Sequence, residues 1–441
     1  MPLNLESNCK PCHNISHYVM NPRLWTASAI VFFFGTVTVI VPSDGFAASV
    51  AKRYIDAQLK VVHSLQENLS SLAAAADESA TRFVAGGTFY LTGEPGMVAE
   101  VHSRAGGPCG AKSLDLEKPL PAISHNDVIL LSDYGSPGKL ANALGRLQST
   151  GAQIVVFVSK EHPLQRQPKP ENVRFVLVDI PLESYVLELP GGTKLLPAVS
   201  PAIATAQWTY IAELLGACRR QNKQLAIYLS TFLDPGHVRY NRTKGLLFEP
   251  DLKPDPVPRE QYAREFLGLV KRSLEAIRSG ELDKIEKAAA WLRNSTEAHK
   301  RVVRSLMGHL APIEAGSRGD VSFFTHTVLL TGEKGENWIR GNIGDGDTIL
   351  FLAYRDEDVL SKTASTLGAK TIAITSAGPG TEQARDPRHL YINPQWPITD
   401  GCLELSGYDV KACPLSTILN MTCYFAICGE VAAPGNRSRQ Y

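Results

Sequence analysis

The strongest constraint on this chain is that part of it is written twice. "NDVILLSDYGSPGKLANALGRLQSTGAQIVVFVS" (residues 126–159) lies over "GDTILFLAYRDEDVLSKTASTLGAKTIAITS" (residues 346–376). Both read Asp, an apolar strand, a turn, an amphipathic helix, Gly-Ala, a second apolar strand and Ser. Self-similarity of this kind marks an internal duplication. The register continues downstream, where "VLELPGGTKLLPAVSPAIATAQWTYIAELLGA" (186–217) lies over "CLELSGYDVKACPLSTILNMTCYFAICGEV" (402–431). Upstream, "FYLTGEPGMVAEVHSRAGG" (89–107) lies more loosely over "VVRSLMGHLAPIEAGSRGD" (302–320).

Each repeat reads as a long helix, a strand and turn, a helix, then strand, helix, strand, strand and a closing helix. The first long helix, from Ser49 to the Gly86-Gly87 pair that ends it, is rich in Ala, Leu, Glu and Gln. The strands "TFYLT", "DVILLS", "QIVVFVS" and "RFVLVDI" are short, β-branched and almost continuously apolar. Such strands alternating with helices predict a parallel sheet covered on both faces. The expected fold is therefore two tandem three-layer α/β/α repeats. "EPDLKPDPVPRE" (249–260) carries four prolines and reads as the linker between them. The expected organisation is an N-terminal segment over 1–48, a first domain over 49–248, and a divergent second domain over 261–441, which opens with helices in "REQYAREFLGLVKRSLEAIRSGELDKIEKAAAWLRNS".

Length agrees with this division, since 441 residues leave room for two to three domains with their own cores. A formal net charge of +1 supplies no field to draw in nucleic acid or an anionic membrane. No basic stripe with interleaved aromatics is present, which speaks against a nucleic-acid partner.

One segment breaks the globular pattern. "WTASAIVFFFGTVTVIV" (25–41) has no charge, follows Arg23 and precedes "PSDGFAASV". This is the layout of a secretory signal peptide, with Gly45 and Ala47 as small residues before a cut. An uncleaved membrane anchor is the alternative, since the run is near the lower limit for a spanning helix. Met20 would give a shorter n-region than Met1. "CKPCH" (9–13) spells a haem c attachment site but precedes the apolar run, and it reads as chance. The other six cysteines are scattered and read as small buried hydrophobes.

The order of elements resembles the sugar isomerase (SIS) fold, and above all phosphoheptose isomerase and related phosphosugar-binding proteins. "TGEPGMVAEVHSRAGG" looks like that family's Gly-rich turn and Ala-Glu helix. "SDYGSPG" looks like its Ser/Thr-rich loop. "PAVSPA" and "CPLSTI" look like its Ser-containing helix start. The likeness covers most of residues 49–245 and, more loosely, 283–432. It implies binding of a sugar phosphate, and a sugar-phosphate aldose–ketose isomerase if the protein is an enzyme, with no cofactor or metal. The alternative is an exported, non-enzymatic protein with degenerate sites that binds a sugar or a partner. A homodimer through the equivalent halves stays open.

The resemblance places phosphate at Ser132, Gly135 and Ser136, where helix-terminal N–H groups and hydroxyls donate to an anion. The plainer reading makes Ser132 a helix cap and the next residues a turn. Tyr134 replaces the family's middle Ser, Asp133 opposes phosphate, and Pro137 removes an N–H. The second copy of the loop, "AYRDED" (353–358), has lost Ser and Gly. Gly93 and Gly96 belong to the first turn, and Ser200, Ser416 and Thr417 to the helix starts. His237 and Asn241 sit in "LSTFLDPGHVRYNRT", read as a polar loop lining a partner's cleft or simply the surface. Glu100 matches the catalytic carboxylate position, with a solvated helix carboxylate as the alternative. His102, two residues on, is expected to face elsewhere. The second repeat keeps Gly308-His309 where the first has Gly96-Met97. This suggests one composite site built from Ser132, Ser136 and Glu100 with His309 and Glu314.

Overall fold

A computed structural model describes residues 49–433, apart from 134–136, 167, 169, 181–184, 189–193, 231–235, 316–322, 355–357, 382 and 398. The apolar run at 25–41 and the "CKPCH" stretch lie outside the described residues, as do Gly135 and Ser136. Among the described residues, no helix is long and apolar enough to cross a membrane.

The first half runs α1 (Val50–Glu67), α2 (Leu69–Val84), β1 (Phe89–Gly93), α3 (Pro95–Val101), β2 (Ala111–Ser113), β3 (Val128–Ser132), α4 (Pro137–Leu147), β4 (Gln153–Ser159) and β5 (Val173–Val178). It closes with the hairpin β6 (Tyr185–Glu188) and β7 (Lys194–Pro197), then α5 (Val199–Arg220) and α6 (Gly236–Thr243). The second half runs α7 (Gln261–Gly280), α8 (Leu282–Glu297), β8 (Val302–Leu306), α9 (Ala311–Glu314), β9 (His326–Val328), α10 (Gly332–Asn342), β10 (Thr348–Leu352), α11 (Asp358–Thr366), β11 (Lys370–Ile374) and β12 (His389–Ile392). It ends with the hairpin β13 (Gly401–Leu403) and β14 (Ala412–Pro414), then α12 (Ser416–Ala432).

Each half holds a five-stranded sheet, ordered β2-β1-β3-β4-β5 in the first and β9-β8-β10-β11-β12 in the second. Every pairing in both sheets is parallel. This is the α/β/α architecture that the strand and helix pattern predicts. The two sheets start in the same way. Asp127 accepts from the N–H groups of Thr88 (2.6 Å) and Ser124 (2.7 Å). Asp347 accepts from those of Arg301 (2.8 Å) and Gly344 (2.9 Å). In each case one carboxylate ties the residue before one central strand to the turn before its neighbour.

The strands β3, β4 and β10 are almost wholly apolar because both faces are covered. Phe89, Leu91, Val128, Leu130, Val155 and Phe157 face one core, while Tyr90, Ile129, Leu131, Ile154 and Val156 face another with Leu140 and Leu147 of α4. Alternation with period two puts successive side chains on opposite faces. In the second sheet, Val303, Ile349 and Phe351 meet Ile339 of α10 and Leu360 of α11. The other faces of both sheets share one core with α1, α2, α5, α7, α8 and α12. The layers are thus helix, sheet, a joint helical layer, sheet and helix. The helices α5 and α12 are buried on all sides, which explains their lack of a polar face. Each Leu, Ile, Val or Phe buried there contributes about 1.5–3 kcal/mol. The helix α1 reaches into the second half, and Glu430 of α12 accepts from its first turn at Ala51 N (2.8 Å).

Two local expectations change. The first long helix is broken at Asn68, whose side chain turns back to the Ser64 carbonyl (2.8 Å) while its carbonyl accepts from Ser71 (3.0 Å). Asn competes with the backbone in this way and disfavours helix interiors. The stretch around Asn241, read as a polar loop, holds α6, anchored by Arg239 to Asp409 (2.7 Å) and Glu249 (2.9 Å).

Candidate functional site

The carboxyl ends of β1 and β3 open into a cleft of about 840 Å³. Open parallel sheets bind ligands at this edge. Its floor is Thr92, Gly93, Leu131, Ser132 and Asp133. One wall is α3 with Glu94, Pro95, Val98, Ala99 and His102. The opposite wall is α4 with Lys139, Leu140 and Arg146. The segment from Ser113 to Glu117 closes the third side. Gly93 has φ +105°, and a Cβ there would stand 2.1 Å from the Ser132 carbonyl oxygen, so only glycine lets the two strand ends run this close. The fully buried Ser132 hydroxyl accepts from Gln207 Nε2 of α5 (2.7 Å), which leaves its own proton available to a ligand.

The wall helix α3 has two working faces. Pro95, Val98, Ala99 and His102 recur at helical spacing and face the cleft. Glu100 faces away from it and is fully buried. Its carboxylate accepts from Trp208 Nε1 (2.9 Å) and from Arg104 Nη1 (3.1 Å), and also from the Thr417 hydroxyl. Arg104, also fully buried, continues to Asp400 (3.1 Å) and Ser416 Oγ (2.5 Å) of the second half. Tyr354 completes the group through hydrogen bonds to Arg104 and Ser416. Burial pushes the Glu100 carboxyl above its ordinary range, against the pull of Arg104 and the Trp208 N–H. The Arg104 guanidinium stays charged, since Glu100, Tyr354 and Asp400 outweigh the effect of burial on it. The expectation of Glu100 as a cleft base is corrected here, and so is the alternative of a solvated carboxylate. The group is sequestered at the junction of the halves.

His309, part-buried, also meets α3 from the second half. Its ring donates to the Ala99 carbonyl. Burial, and then the nearby Arg104, push it down to about 3, so it is neutral near pH 7. Neither His309 nor Glu314 of α9 is in the cleft's described lining. Of the composite site expected from Ser132, Ser136 and Glu100 with His309 and Glu314, Ser136 lies outside the described residues, and Glu100, His309 and Glu314 stand outside the cleft that Ser132 floors. The second half touches the wall of the cleft, not its interior.

The remaining candidates scatter. Gly96 is buried on α3 away from the lining, and Ser200 is buried at the start of α5. Ser416 and Thr417 belong to the Glu100–Arg104 group. Asn241 is exposed on α6 and stands outside the cleft's described lining, and His237 lies on the same helix. Gly93 and Ser132 are thus the binding candidates that the structure brings together. Sequence reasoning missed His102, Lys139, Arg146 and the segment from Ser113 to Glu117. The signal for His102 was present, because 95, 98, 99 and 102 share a helix face. The spacing of Glu100 and Arg104, one turn apart, likewise signalled an ion pair.

No protein-family model matches the chain, and no curated protein matches it. Similar solved structures do exist. A candidate phosphosugar isomerase from Clostridium difficile 630 aligns over 87% of this chain and 93% of its own, at 12% identity and a TM-score of 0.46. The C-terminal domain of glucosamine-fructose-6-phosphate aminotransferase from Francisella tularensis aligns over 88% and 98%, at 10% identity and a TM-score of 0.43. A candidate sugar binding protein from Salmonella typhimurium LT2 aligns over 86% and 98%, at 10% identity and a TM-score of 0.45. These three solved structures are described as a phosphosugar isomerase, an aminotransferase C-terminal domain and a sugar binding protein.

Proposed function

We propose that the first half binds a sugar phosphate in the cleft between α3 and α4. The observation that carries this reading is the cleft's place at the carboxyl ends of β1 and β3, floored by Gly93 and Ser132 and flanked by Lys139. The resemblance of "TGEPGMVAEVHSRAGG" and "SDYGSPG" to phosphosugar-binding segments supports the same ligand class. The anionic end would sit near the Ser132 hydroxyl, the Lys139 ammonium and the start of α4, where backbone N–H groups favour negative charge. Carboxylates of Glu94, Asp115 and Glu117 would accept from sugar hydroxyls. Aldose–ketose isomerisation needs a base at the reacting carbons. Glu100 is withheld from that role by its burial, so an isomerase reading rests on Glu94 or His102. The two halves, with one strand order, fit duplication of a single unit.

Isothermal titration with fructose 6-phosphate tests the reading, with Ser132→Ala and Lys139→Ala as variants. Binding to the parent, weakened in both variants, is expected. No binding at millimolar ligand overturns it. A second reading, an uncharged sugar, is favoured by the cleft's charge. Glu94, Asp115, Glu117 and Asp133 line it against Lys139 and Arg146. Equal affinity for fructose and fructose 6-phosphate would select that reading. Export through residues 25–41 belongs to the same proposal. It predicts a mature protein that begins after Ala47, and an intact Met1 or Met20 in the cytosolic fraction refutes it.

A further inference from the structure

The helix α3 is loaded on both faces. Its cleft face contributes Pro95, Val98, Ala99 and His102 to the ligand wall. From the second half, the helix and the turn after it are held at three places. The Ala99 carbonyl takes the His309 ring hydrogen. Glu100 takes the Thr417 hydroxyl hydrogen. Arg104, just beyond the helix, binds Asp400 and Ser416. Few of these contacts are local, since Arg104 and Asp400 are 296 positions apart in sequence. The helix itself has seven residues, too short to be stable alone. Its position must therefore come from what packs behind it. The two carboxylates and one guanidinium of the group are almost wholly excluded from water, where an ion pair holds its geometry and removal of a partner is costly.

We propose that the second half is a clamp for the ligand site of the first, with Asp400 and His309 as positioning residues that set ligand affinity through α3. This rests on the reading of the cleft as a sugar-phosphate site. It gives the second half a role without a ligand of its own. The prediction is specific to these contacts and does not extend to every bridge between the halves. Arg239 of α6 and Asp409 of the second half form such a bridge at 2.7 Å, remote from α3 in its partners, and it serves as the control.

The test compares Asp400→Asn, His309→Ala and Asp409→Asn in the full chain. Asp400→Asn leaves Glu100 and Arg104 as a neutral pair, so the fold keeps a balanced group. The readouts are affinity for fructose 6-phosphate by titration and amide exchange of residues 97–102. The first two variants should bind about five- to fifty-fold more weakly, within the range of ordinary inter-site coupling, and should exchange faster over α3. His309→Gln, which retains a donor toward Ala99, should recover most of the loss. Asp409→Asn should match the parent in both readouts. Parent-like affinity and exchange in Asp400→Asn and His309→Ala overturn the clamp, and so does an equal loss in Asp409→Asn. If the parent itself does not bind the probe, the ligand reading fails by that result alone. Amide exchange then decides the clamp separately: faster exchange over α3 confined to the first two variants supports it, and unchanged exchange overturns it.

Discussion

The close approach of β1 and β3 at the floor of the cleft allows a demanding test at Gly93. An alanine there would keep φ near +105°, a region that costs an L-residue about 1–3 kcal/mol. Its Cβ would also lie 2.1 Å from the Ser132 carbonyl oxygen and 2.9 Å from the Ser132 nitrogen. Ordinary contact requires more than about 1 Å of retreat, and overpacking of this kind costs about 1–3 kcal/mol. That retreat would break the hydrogen bond from Glu94 N to Ser132 O, now 2.9 Å long, for about 1 kcal/mol more. The sum is about 3–7 kcal/mol. With an unfolding entropy of about 2.1 cal/mol/K per residue over roughly 390 residues, this corresponds to a Tm lower by ~4–9 °C. Differential scanning calorimetry reads it directly. Gly138→Ala, on α4 with open space around the added methyl, is the matched control and should gain about 0.5–1 kcal/mol. A Gly93→Ala protein that melts within about 1 °C of the parent would refute the claim that this glycine holds the cleft floor.

Other consequences can be measured on the same protein. Ser132→Ala strands the Gln207 amide in a buried site and should cost about 1–3 kcal/mol in chemical denaturation; an unchanged midpoint would show that the pair is idle. Phe157, fully buried on β4 against Tyr210, should lose about 3–5 kcal/mol on truncation to Ala, and a loss below about 1 kcal/mol would contradict its place in the joint core. His309 is held down to about 3 by burial, below its ordinary 6.5. The unfolded chain therefore binds the extra proton first, and stability is lost as pH falls from about 6.5 toward 3. His309→Gln should flatten that part of the pH–stability curve, and a parallel curve would count against the neutral, part-buried ring. Cys109, Cys218, Cys402, Cys413, Cys423 and Cys428 are free thiols, so a reductant should leave the Tm of residues 49–433 unchanged; a fall would reveal a bridge.

Much of the framework is legible in the chain because it rests on local rules. Alternation in "DVILLS" and "QIVVFVS" puts apolar side chains on both faces of a strand, and only a sheet covered twice can bury both. Asp127 and Asp347 mark equivalent strand starts because a carboxylate at that point satisfies two N–H groups in each half. Gly86, with φ +93°, stops the opening helix pair close to where the sequence predicts. Local rules also explain the misreadings. Asn68 breaks a helix that average propensity would continue, and Arg239 stabilises α6 with partners that no local window includes.

The site divides along the same line. Gly93 and Ser132 could be placed at strand ends from sequence, because the residue that ends a parallel strand lies at the carboxyl edge of the sheet whatever surrounds it. Glu100 could not. Its spacing from Arg104 suggests a pair, but whether that pair meets solvent, ligand or protein depends on Asp400, Ser416 and Thr417, some 300 positions away. The sequence alone determined two parallel α/β/α units and put Gly93 and Ser132 at strand ends, since periodicity and turn chemistry act within a few residues. Tertiary structure alone decided that α3 turns His102 toward the cleft and Glu100 into the junction, because the burial of a charge is settled by whatever packs across it.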